Sequence, residues 1–76
     1  MVELVLRELG RRIRARREDL EWTQETLAFF AGLDRSYVGG VERGERNVTF
    51  TVLCCFAAAL KCDVGALTAG LPASTL

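Results

Sequence analysis

Apolar residues in the first part of the chain recur at Leu4, Leu9 and Ile13, close to the period of a helix, and the positions between them are largely charged. This spacing predicts an amphipathic first helix that ends around Asp19, with arginines on its outer face. Thr23 is a natural N-cap for a short second helix, QETLAFFA, and Gly32 stands where a left-handed residue closes a helix. Asp34 predicts the cap of a third helix that stops at Gly44, and Thr49 the cap of a fourth running to about Lys61. Asp63 does the same for a fifth, Val64 to Ala69. No stretch alternates apolar and polar positions long enough for a strand, and no repeat or low-complexity linker interrupts the pattern. The expected fold class is all-α, a compact five-helix bundle forming one domain over residues 1–76.

Two stretches do not fit a simple amphipathic pattern. In DRSYVGGVERGERN, Val38 and Val41 are spaced for one helix face, yet Gly39 and Gly40 stand between them. Each glycine costs a helix interior about 1 kcal/mol relative to alanine. The second stretch is the fourth helix, where every residue from Phe50 to Leu60 except Thr51 is apolar. A helix apolar all round must be covered on all sides. Leu53, Phe56, Ala57 and Leu60 form an inner stripe, which leaves Phe50, Cys54 and Ala58 for a partner. An apolar patch on so small a protein points to an interface, and a symmetric pair is the commonest solution. A homodimer is therefore expected, through a surface within about residues 50–70 that includes Leu67.

Charge sharpens this picture. Ten basic and ten acidic residues cancel, but residues 7 to 17 carry six arginines against one acid, a local +5 offset by −5 elsewhere. The plain reading of such a run is a solvated helix face. Three cysteines, Cys54, Cys55 and Cys62, lack CxxC spacing, and there is no histidine. A disulfide framework or metal site is not expected; buried reduced thiols are. With no glycine-rich phosphate loop and no base beside a cysteine, neither an enzyme nor a cofactor is expected. The longest uncharged run, Asn47 to Leu60, is too short to span a membrane, and no signal peptide precedes it, so a cytoplasmic location is expected.

Ala28, Gly32 and Val38 supply a small residue at a close helix crossing, a turn glycine and an inward β-branched residue, the joint spacing of a helix-turn-helix over about residues 23–43. From about Leu9 to Leu67 the sequence resembles the Cro and phage-repressor (XRE-type) helix-turn-helix family. Through RSYVGGVERGERN it is most similar to the small controller regulators of restriction-modification systems. The resemblance implies a sequence-specific regulator that binds double-stranded DNA as a homodimer on a palindromic operator. Its third helix would be the recognition helix, with Arg35 and Ser36 at base edges and Gly40 on the groove side. Thr23, Gln24, Tyr37, Gly39, Arg46 and Asn47 would meet the DNA backbone, with Arg12 and Arg14 of the basic run as further phosphate candidates. Arg17 and Glu42 match a structural pair tying the first helix to the third. The two glycines then admit two accounts, a bare surface for close approach to DNA or exposed positions without consequence. A protein-binding adaptor or antitoxin using the same fold is the alternative function, supported by the near-zero net charge. Against it, only seven residues follow Ala69.

Overall fold

In the computed structural model, which describes residues 1–72, five helices follow in order: α1 (Val2–Asp19), α2 (Gln24–Ala31), α3 (Arg35–Glu42), α4 (Phe50–Ala59) and α5 (Val64–Thr68). Four of the starts are set by the side chains expected to cap them. The hydroxyls of Thr23 and Thr49 accept from the backbone N–H of Thr26 and Val52, and the carboxylates of Asp34 and Asp63 accept from Ser36 and Ala66. Four of the ends also share one device. After α2, the N–H of left-handed Gly32 bonds Phe29 O and that of Leu33 bonds Ala28 O, a Schellman turn. Gly44 repeats it after α3, and Glu21 and Lys61 repeat it after α1 and α4. The fourth helix therefore stops at Ala59, and Lys61 belongs to the closing turn.

Ile13, Leu27, Val38, Val41, Phe56 and Leu67 are fully buried where the five helices meet. Here α1 packs on α3 and α5, α2 on α3 and α4, and α4 on α5. Several expectations are corrected by this packing. Leu67, assigned to a dimer surface, is the residue by which α5 enters the core, and a side chain with no exposed area cannot meet a partner. Leu4 lies outward. The thiols are not buried either: Cys55 is exposed, and Cys54 and Cys62 are half-buried. After α5, Leu71 is half-buried and lines an apolar groove with Val2, Val5 and Leu6 of α1, while residues 73–76 lie outside the described residues.

At the crossing of α1 and α3, backbone meets backbone. A Cβ on Gly10 would stand 2.7 Å from Glu42 O and closer still to Val41 O, so only glycine permits this approach. Two turns further along α1, Arg17 donates Nε to Glu42 Oε2 at 2.7 Å and Nη2 to Glu42 Oε1 at 3.0 Å. Its Nη1 donates to Trp22 O at 2.7 Å, so one guanidinium ties α1 to α3 and to the turn before α2. Arg17 and Glu42 are only 9% and 8% exposed. Arg17→Ala should destabilise the fold by on the order of 3–5 kcal/mol in urea unfolding, because Glu42 is left charged and buried. The Arg17→Ala/Glu42→Ala double variant should lose less than the sum of the singles.

Candidate nucleic-acid interface

Ala28 and Val38 are buried between α2 and α3, and Gly32 makes the left-handed turn that joins them. This turn leaves the first turn of α3 facing outward. Arg35 and Ser36 are both exposed. Asp34 accepts from the N–H and the hydroxyl of Ser36, chiefly the hydroxyl, which pulls its carboxyl below the usual range and keeps the cap ionised. With its O–H donating to Asp34, exposed Ser36 offers acceptor lone pairs to the outside. Arg35 makes no ion pair among the described residues, although it stands at the end of the helix where the dipole disfavours a cation.

Gln24 begins α2 and donates Nε2 to Glu42 Oε1 at 3.0 Å, so it is anchored to the buried pair. The second hydrogen on that nitrogen remains for an outside acceptor. Thr23 is exposed as well as capping, and Arg46 and Asn47 are exposed in the segment after α3. Arg46 holds its guanidinium carbon 5.7 Å from the centroid of half-buried Tyr37, within cation–π range. Asn47 lies beside the apolar groove between the start of α1 and Leu71.

Gly39 and Gly40 are buried, which corrects the account that made them exposed and inconsequential. A Cβ on Gly39 would lie 3.1 Å from Arg43 Nη1 and 3.4 Å from Gln24 Oε1; one on Gly40 would lie 3.1 Å from Arg46 Cγ. In the free protein Gly40 is therefore roofed by the Arg46 stem, not bare toward a groove.

The basic run is mostly consumed within the chain. Arg11 and Arg12 share Glu8, each with a contact of 2.7 Å, Arg14 pairs with Glu18 at 3.2 Å, and Arg17 is committed to Glu42. Arg12 also donates Nη1 to Ala69 O at 2.8 Å and to Leu67 O at 3.2 Å. Its role as a phosphate contact is corrected on this ground: the guanidinium supplies the carbonyls at the end of α5, which have no helical partner. Arg14 is exposed in a surface pair that costs little to break.

Of the residues placed on an apolar outer surface, Phe50 is 70% exposed, Ala58 is exposed and Cys54 is half-buried. Sequence reasoning missed an adjoining cluster. Phe29 and Phe30 are 79% and 57% exposed, Phe30 stacks on Trp22 with centroids 4.9 Å apart, and both Trp22 and Phe30 border Ala58. The signal was present in LAFFA, where five consecutive apolar residues exceed what one face of a short helix can bury.

A helix-turn-helix whose second helix presents an unpaired arginine and a free first turn has the form of a major-groove reader. The chain belongs to the helix-turn-helix family HTH_3, whose model matches residues 13–67. Among relatives, it is 45% identical over 56 residues to the control protein C.SmaI of Serratia marcescens, covering 74% of this chain and 67% of that one. The restriction-modification controller protein C.AhdI of Aeromonas hydrophila has the same fold, with a TM-score of 0.80 and 50% identity over 82% of this chain and 94% of that chain. The controller protein C.Esp1396I, solved as a tetramer with its natural 35 base-pair operator, matches with a TM-score of 0.77 and 32% identity, covering 83% of each chain.

The pairing on α1 has a pH signature. Hydrogen bonds from Arg11 first and Arg12 second hold the Glu8 carboxyl at about 2, down from 4.5. A depressed acid contributes stability above its unfolded value and loses it as pH falls through the folded one. The stability gap between the unmodified protein and Glu8→Gln should therefore be constant above about pH 5 and shrink as pH falls from 4.5 toward 2. Thermal unfolding across that range measures it.

Proposed function

We propose that this protein is a sequence-specific, DNA-binding transcriptional regulator of the restriction-modification controller type, acting in the cytoplasm as a homodimer on a palindromic operator. The observation that carries this reading is Arg35: exposed, without an ion pair among the described residues, and placed in the first turn of the second helix of the helix-turn-helix. An arginine there can donate two hydrogen bonds to guanine O6 and N7, with Ser36 accepting from a neighbouring base. Thr23, Gln24, Tyr37, Arg46 and Asn47 would hold the phosphates on either side and fix the register, and Arg14 would add a peripheral contact. The relationship to C.SmaI, C.AhdI and operator-bound C.Esp1396I supports the same assignment. The unit that reads DNA is taken as residues 23–43, and the dimer surface as the outer side of α4.

That surface is Phe50, Cys54 and Ala58, now without Leu67. Pairing across it would set two recognition helices about 34 Å apart, one helical turn of DNA. Sedimentation at tens of micromolar should show a dimer; only monomer would overturn this part. The exposed Phe29 and Phe30 are the observation that favours a protein-binding adaptor or antitoxin instead.

Selection from a random duplex library separates the two. Enriched inverted repeats with one fixed half-site spacing are expected, and no enrichment would decide for the adaptor. On the selected operator, Arg35→Ala should cost about 1–3 kcal/mol and relax preference at one position per half-site. Equal losses on operator and random duplex would remove Arg35 from base reading.

A further inference from the structure

Tyr37 and Gly40 are three residues apart on α3 and so are neighbours on one helix face. Arg46, four residues beyond the end of that helix, lies back across both. A Cβ on Gly40 would stand 3.1 Å from its Cγ, 3.4 Å from its Nε and 3.8 Å from its Cδ, while its guanidinium carbon sits 5.7 Å from the Tyr37 ring centroid. The stem thus lies in a slot made by one missing side chain, and the charged head is over an aromatic face. Arg46 has no carboxylate partner among the described residues, so this seat alone orients it.

We infer that Gly40 is a positioning residue for Arg46: its bare backbone seats the arginine stem against α3 and delivers the guanidinium, held over Tyr37, to the DNA backbone in a conformation set before DNA arrives. This rests on the DNA-binding reading above. It replaces close approach of Gly40 itself to the bases, since the space over its Cα is occupied by Arg46. Long flexible side chains lose rotamer freedom on binding, and a seat that removes this loss in advance strengthens binding without adding a contact. It also accounts for a glycine that helix propensity alone disfavours.

The test is a double-mutant cycle on the selected operator, using the full chain. Gly40→Met fills the slot with a flexible chain directed to solvent, and Gly40→Ala, which helix propensity favours, keeps the fold. Gly40→Met should weaken operator binding about three- to tenfold and Gly40→Ala less. In an Arg46→Ala background, Gly40→Met should change affinity less than about twofold. In the free protein, ring-current shifts of the Arg46 side-chain protons should be present in the unmodified chain and absent in Tyr37→Leu and Gly40→Met. Equal losses with and without Arg46 would assign Gly40 to direct approach and overturn the inference, as would unchanged binding or a ring-current shift that survives Gly40→Met. If the unmodified protein binds no duplex, the DNA reading itself fails and this one with it, even where the ring-current shift is seen.

Discussion

Between Gly10 and the carbonyls of Val41 and Glu42 there is no room for a methyl group, and the placement of α3 depends on that contact. Once the two backbones touch, Arg17 is at the right height on α1 to meet Glu42 with both arms of its fork, and Glu42 in turn receives the amide of Gln24. A single buried carboxylate therefore gathers α1, the start of α2 and the end of α3. The angle at which α3 is presented follows from steric contact on one side and charge on the other. Apolar packing at Val38 and Val41 adds cohesion, but it does not by itself specify a register.

The distribution of charge inverts what a count along the chain suggests. Arginine is concentrated in α1, yet there Glu8, Glu18, Glu42 and the carbonyls of α5 take up most of the guanidinium groups. Within α3 and the segment that follows it, Arg43 pairs with Glu45, while Arg35 and Arg46 have no ion pair among the described residues. Attraction for a polyanion in a chain of zero net charge then has a local origin, set by which cations lack partners and not by how many there are.

Helix starts and the helix-turn-helix were legible because each depends on interactions within a few residues: Thr23, Asp34, Thr49 and Asp63 as caps, and Gly32 as the turn. What was not legible depends on distant chain or on side-chain direction. Arg12 finds its acceptors more than fifty residues away on α5, which no local pattern registers. Leu67 sits in a helix of five residues, too short for periodicity to show which face is inward. Gly39 and Gly40 look exposed on a helical projection and are covered because Gln24 and Arg43 lie over the first and Arg46 reaches back over the second. The left-handed turns at Glu21 and Lys61 are formed by residues whose type gives no sign of them.

The four side-chain caps have a consequence for kinetics. Each is closed by a hydrogen bond spanning two or three residues, so the boundaries of α2 to α5 are defined by local chain before any core exists. What remains is the docking of short rods joined by brief turns, a search dominated by contacts close in sequence. Helical chains of this kind fold on the order of microseconds to milliseconds. A freshly made chain of this fold would be ready for an encounter almost as soon as it is released, so that the pace of any later assembly would be set by concentration and not by folding.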